Sequence, residues 1–177
     1  MKTSTIQQFR KLTLVSALAL TTGWASLSQA GTDTENLSVS ATVADNCTIA
    51  TSALAFGSYD PIVTHSATAL ENTGSVSVTC TSGAAVAITL GQGANADTGS
   101  SDAAPARRLT DGGGNFLSYS LYSDSGRATA WTNDTDGDVE DTGTGTEETH
   151  TVYGSVASGQ NVPAGSYSDT VVATVTY

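Results

Sequence analysis

Residues 37–43 read Leu37-Ser-Val39-Ser-Ala41-Thr-Val43, and residues 170–177 read Thr170-Val-Val-Ala-Thr-Val-Thr-Tyr177. Both alternate apolar and polar positions with a period of two, as a strand with one buried face does. In the second stretch Val171, Ala173, Val175 and Tyr177 share a face, and no further strand follows them. A strand on that side would pair with it and close a sheet. The first stretch precedes the strand expected around Cys47. Polar Gly31–Asn36 runs in front of it, and Ala44-Asp-Asn46 separates it from the rest. An edge that needs a neighbour and an extra strand on a leash are complementary features.

Working outward, the same alternation recurs in Ser75–Cys80, Val86–Leu90, Phe116–Tyr122, Thr149–Ala157 and Ser166–Tyr177. Turn residues punctuate it: Ser82-Gly83, Asp111-Gly-Gly-Gly114 and Val162-Pro163-Ala164-Gly165. Helical periodicity is nearly absent. Short strands with turn signals between them predict an all-β, antiparallel sandwich of immunoglobulin-like type. Gly91–Ala106 and Asn133–Glu148 read as loops, the second with seven acids and no base.

The chain has 177 residues, with 6 Lys+Arg against 17 Asp+Glu and a net charge of -11. Lys2, Arg10 and Lys11 lie at the start, so residues 31–177 keep three arginines, no lysine and all the acids. Nucleic-acid and anionic-membrane binders need clustered cations to displace counterions, and this balance excludes that class of partner. Hydrophobic residues make up 38%, too many for a disordered acidic chain.

Residues 1–30 have the three parts of a secretory signal: the three bases, the apolar run Leu12–Leu20, and the small-x-small site Ser28-Gln29-Ala30. The apolar run is short for a membrane span. The expected division is therefore 1–30 signal, 31–46 extension and linker, and 47–177 sandwich. Cys47 and Cys80 are the only cysteines, so one intramolecular pairing is possible, and an oxidising export compartment favours it. Closing that loop would stabilise the fold by roughly 3–4 kcal/mol in the chain-entropy account.

Seven short motifs occur in order. They are Val43-x-x-x-Cys47-Thr-Ile, Phe56-Gly57-x-Tyr59-Asp60, Val76-x-Val78-x-Cys80 and Leu117-x-Tyr119-x-Leu121-Tyr122, then Val152-Tyr153-Gly154-x-Val156, Pro163-Ala-Gly165-x-Tyr167-x-Asp169-Thr170 and Val175-Thr-Tyr177. Together they resemble the spore coat protein U domain family, which includes the Csu-type pilins of the archaic chaperone–usher pathway. The resemblance implies an incomplete immunoglobulin-like sandwich lacking its last strand and completed by donor-strand exchange. It implies Leu37, Val39, Ala41 and Val43 as the donor positions. The acceptor cleft would be edged by Val171, Ala173, Val175 and Tyr177 and by the first strand after Cys47. Partners would be identical or related pilin subunits, a periplasmic chaperone that anchors the Tyr177 carboxylate, and an outer-membrane usher. The product would be a cell-surface pilus for adhesion and biofilm formation. A secreted β-sandwich module that binds carbohydrate or joins a spore or cell coat is the alternative.

No enzyme and no cofactor are expected. His65 and His150 stand alone in the sequence without spaced ligand partners. No Gly-x-Ser-x-Gly elbow occurs. Arg107-Arg108 is a lone basic pair expected to form salt bridges, and Gly112–Gly114 is a turn with no Lys after it. Trp131, Tyr119 and Tyr122 are expected to cover a sandwich core rather than to form a sugar platform. Asp134-x-Asp136-x-Asp138 has the start of a calcium loop, but Val139 stands where Gly is needed and Gly145 where a bidentate Glu is needed. Calorimetric titration with calcium is therefore expected to show no heat; a saturable isotherm would restore the loop as a cation site.

Overall fold

The computed structural model describes residues 30–177; the signal expected over residues 1–30 lies, apart from Ala30, outside the described residues. Among the described residues there are eight strands and no helix. They are β1 Cys47–Ser52, β2 Leu70–Cys80, β3 Ala85–Leu90, β4 Arg107–Thr110, β5 Phe116–Tyr122, β6 Val139–Thr142, β7 Glu147–Val156 and β8 Ala173–Thr176. Five of them form one sheet in the order β1-β2-β7-β5-β4, and three form a second in the order β6-β3-β8. Every ladder is antiparallel.

The alternation read in the sequence decides which side chains face inward. Val76, Val78 and Cys80 of β2 are buried, as are Val86, Ile88 and Leu90 of β3. Leu117, Tyr119 and Leu121 of β5 join them, with Val152 and Val156 of β7. Trp131 is fully buried among them, and its Nε1–H donates to the Ile88 carbonyl at 2.8 Å. That bond satisfies the one polar group an indole brings into a core. Cys47 and Cys80 form the expected disulfide, at the paired ends of β1 and β2. Beyond it the chain turns at Gly83, whose φ of 89° is one that glycine adopts without strain.

Several expectations are corrected. Residues 37–43 form no strand in the isolated chain, because a strand needs a neighbour to satisfy its backbone groups. The strand expected over Ser166–Tyr177 is confined to Ala173–Thr176, with a single bridge from Ser168 to Thr110 before it. The acidic stretch Asn133–Glu148 is not one loop: β6 and the start of β7 lie within it, and Val139 and Asp141 of β6 face inward. The short strand β4 begins at the basic pair, and its two arginines part company. Arg108 forms the expected ion pair, 2.9 Å from Asp97, and lies over the Phe116 ring at 4.0 Å. Arg107 is buried and donates to three carbonyls, Leu90 O at 2.7 Å, Trp131 O at 2.8 Å and Gly91 O at 2.8 Å. Burial pulls its pKa down to about 10, so it keeps its charge at neutral pH. The histidines are not isolated either. His65 is buried and stacked on Tyr59, with ring centroids 5.1 Å apart, and His150 Nε2 stands 3.0 Å from Asp141 of the facing sheet.

Trp131 joins the two sheets through its ring and through two hydrogen bonds, its backbone N–H to Leu121 O and its Nε1–H to Ile88 O. Trp131→Ala should lower the unfolding free energy by roughly 3–5 kcal/mol, measured by denaturant titration followed by far-UV circular dichroism. A change under about 1 kcal/mol would place the core's centre elsewhere.

Candidate functional site

Two strands have an unused edge that matters. β1 pairs only with β2, and β8 pairs only with β3. These edges face each other across a seam between the sheets. On β1, Ile49 is 37% exposed although its cross-strand partner Val78 is 1% exposed. Directly paired residues share a face of a sheet. The inner face of β1 is therefore uncovered where that of β2 is sealed. On the other side Val171, Ala173 and Val175 are only half-buried.

Two cavities open beside this seam, and only the smaller is lined by residues of β1 and β8. The smaller, of about 310 Å³, lies between Thr51–Leu54 and Thr170–Ala173 and reaches down to Val76, Leu121 and Val152. The larger, of about 710 Å³, lies between the 54–62 and 161–169 segments and reaches Leu70, Leu117 and Val156. Leu54, Phe56, Leu109 and Asp169 line both. They form a waist between two compartments.

The waist is built into the sheet floor. Gly74 and Gly154 occupy inward positions of β2 and β7, in line with buried Val76 and Val152. A Cβ on Gly74 would meet Leu54 Cβ at 2.9 Å, and one on Gly154 would meet Leu54 Cδ1 at 2.6 Å and the Phe56 ring at 2.8 Å. The two glycines leave a hollow that Leu54 and Phe56 fill. Phe56 also packs edge-on against Tyr119, with centroids 6.0 Å apart.

One polar cluster interrupts the apolar walls. The Tyr119 hydroxyl donates to Asp169 Oδ2 at 2.7 Å, and Asn95 donates to Oδ1 through its backbone at 3.1 Å and its side chain at 2.9 Å. Burial pushes the Tyr119 hydroxyl well above its ordinary range, and the Asp169 hydrogen bond adds to the shift. The phenol stays a donor, and Asp169 ties the segment leading into β8 to β5. The rim of the larger cavity is held by Asp60, whose carboxylate accepts from the backbone N–H groups of Ile62, Val63 and Thr64. Those bonds hold its pKa below the ordinary carboxylate value. Tyr59 completes the rim by donating its hydroxyl to Ala157 O at 2.8 Å.

Of the four residues expected to edge the cleft, Val171 and Ala173 line the smaller cavity. Val175 packs against the core, and Tyr177 is 54% exposed, outside both cavities. The expected donor residues carry a different signature. Leu37, Val39 and Val43 are 87%, 85% and 82% exposed, the most exposed large apolar side chains described. The linker behind them is anchored: Thr81 N donates to Asn46 O at 2.9 Å, and Asn46 N donates to Thr81 Oγ1 at 3.1 Å. Asn46 thus continues the Cys47–Cys80 register by one pair, and the chain enters β1 in line with it. Leu54, Phe56 and Leu109 were not foreseen as cleft residues. The available signal was the pair of glycines inside strand-like runs, which mark a close approach by another segment. Among the described residues no group of three or more ligating side chains is placed to hold a metal.

Residues 33–174 match the Spore Coat Protein U domain family. The chain is 43% identical over 173 residues to Protein U of Myxococcus xanthus, covering 91% of this chain and 97% of that one. Its fold is similar to that of a chain in the chaperone–tip adhesion subunit pre-assembly complex from the archaic chaperone–usher Csu pili of Acinetobacter baumannii. The TM-score is 0.56 at 18% identity, over 77% of this chain and 40% of that chain.

The glycine floor can be tested directly. Gly154→Val should lower stability by roughly 1–3 kcal/mol, because the added methyls meet Leu54 and Phe56. Adding Leu54→Ala should recover part of that loss in a denaturant titration, whereas additive losses would show that the two positions do not share one space.

Proposed function

The chain belongs to the Spore Coat Protein U domain family, and on that premise we propose that it is a structural subunit that polymerises by donating a strand to a sister molecule. The observation that carries this reading is the seam between β1 and β8, uncovered by any described strand, with a cavity beside it that reaches down to Val76, Leu121 and Val152. The donor is the 31–46 extension, with Leu37, Val39, Ala41 and Val43 as the side chains that enter the seam. The acceptor is the seam of the 47–177 sandwich, edged by β1 on one side and by Val171, Ala173 and Val175 on the other. Tyr177 takes the role expected of it at the chaperone, where basic side chains would hold its carboxylate.

The energetics suit the task. An added strand satisfies the main-chain groups of an open edge, while alternate side chains fill pockets between the sheets. Burying four apolar side chains, one of them alanine, contributes on the order of 5–8 kcal/mol before ordering costs. The main-chain ladder adds to this, and release requires both to break together. Before donation the open edge is an aggregation hazard, which calls for a periplasmic chaperone during transit to the outer-membrane usher. A head-to-tail contact that does not close on itself makes a fibre. The polymer is then an extracellular pilus for adhesion and biofilm formation, and the protein acts without enzymatic chemistry, cofactor or nucleic acid. The likeness to a Csu pilus complex supports the fold this reading needs. The surplus of acids suits fibre solubility or a saline habitat.

With its chaperone and usher co-expressed, the unaltered chain should give fibres visible by negative-stain electron microscopy. A variant lacking residues 31–44 should still accept a donor but should not extend a polymer. Fibres of normal length from that variant would falsify the assignment of the donor.

A further inference from the structure

The seam lies between the sheets, but the five-stranded sheet also has an outer face. Arg108 pairs with Ser118, Ser120 with Ser155 and Tyr122 with Tyr153, and directly paired residues share a face. Ser118, Ser120 and Tyr122 alternate with buried Leu117, Tyr119 and Leu121. They therefore stand on the outer side of the sheet, together with Arg108 and Ser155. Tyr122, expected over the core, is half-buried on this outer side. A concavity of about 220 Å³ opens here. Ser118, Ser120, Tyr122 and Ser155 line it from the sheet, and Asp97 and Pro105 line it from the segment before β4.

The charges beside it are engaged within the chain. Arg108 donates to Asn95 O at 3.2 Å and to Ala96 O at 3.1 Å, pairs with Asp97 Oδ1 at 2.9 Å and lies over the Phe116 ring at 4.0 Å. A guanidinium so occupied is not free to clamp an anion in bidentate fashion. Asp97 Oδ1 also accepts from the Thr98 N–H at 2.7 Å, and the side chain is 51% exposed. Among the described residues Asp97 Oδ2 has no partner, so it remains an acceptor at the edge of the concavity. Gln160 fixes the sheet beside it. Its side-chain amide accepts from Ser118 N at 2.8 Å and donates to Ser118 O at 2.9 Å, which leaves the Ser118 hydroxyl unused.

We propose that this concavity is a binding site for one ring of a neutral carbohydrate. Serine hydroxyls both donate and accept, as sugar hydroxyls do, and Asp97 Oδ2 accepts from a further sugar hydroxyl. The Tyr122 ring offers an apolar surface to the C–H face of the sugar. The volume falls below the ~300–1,000 Å³ of drug-sized pockets, which suits a single ring. The exposed Asp97 and the chain's surplus of acids disfavour an anionic sugar. Held by the Arg108 pair and the Gln160 amide, the polar groups need little ordering on binding. In the polymer proposed above, a donated strand enters between the sheets and this face stays open. Each subunit then carries one site, and weak single contacts gain by avidity.

The test uses the exported full chain and saturation-transfer difference NMR with the methyl glycosides of glucose, galactose, mannose and N-acetylglucosamine. At least one should receive saturation, most strongly at its ring C–H protons. Ser120→Gln fills the concavity and Asp97→Asn removes the charged acceptor, and each should weaken that binding by about tenfold. Both residues are exposed, so the fold should survive, as far-UV circular dichroism would show. Thr151→Gln, exposed on the outer face of β7 but outside the concavity, should leave binding within about twofold. No transfer to any of these glycosides, or binding that Ser120→Gln leaves unchanged, overturns the site. Methyl glucuronide bound as tightly as the best neutral glycoside overturns the neutral class of ligand. Fibre formation enters neither readout, so strand donation stands or falls separately.

Discussion

The interior between β1 and β8 is open, and no strand of the described chain lies over it. Burial of apolar surface is the main favourable term in folding, and here part of the available surface goes unburied. The consequence shows residue by residue. The paired strands β2, β3, β5 and β7 contribute nearly all the fully buried side chains, while Ile49, Val171, Ala173 and Val175 remain partly open.

The surrounding features hold that opening in shape. The disulfide ties the start of β1 to the end of β2, and Thr81 fixes the residue just before it. Asn46 is thereby held in register with Thr81, one pair beyond the disulfide. At the other lip, Asp169 collects bonds from Tyr119 and Asn95, and Arg107 satisfies three carbonyls where β3 ends near Trp131. Buried polar groups of this kind are costly unless every partner is in place. In place, the Asp169 bonds tie the segment before β8 to Tyr119 of β5 and to Asn95.

Leu54 and Phe56 close over the glycine floor of β2 and β7. The glycines that make the waist cost conformational entropy in their strands and remove side chains from the core. Their presence at inward positions of β2 and β7 is explained by the side chains they receive.

The alternation that recurs from Ser75–Cys80 to the 170–177 stretch was enough to determine the all-β class. The two cysteines determined their own pairing by being alone. These properties are local: they follow from period, composition and count. The tertiary structure decided what depends on distant segments. It shortened the last strand to Ala173–Thr176, drew β6 from an acidic stretch because Val139 and Asp141 could pair beside β3, and buried Arg107 among carbonyls at the end of β3. It also brought Leu54 and Phe56 over Gly74 and Gly154, residues up to a hundred positions apart. No pattern within one strand specifies which glycine a remote leucine will fill, because that contact exists only once β1, β2 and β7 lie side by side.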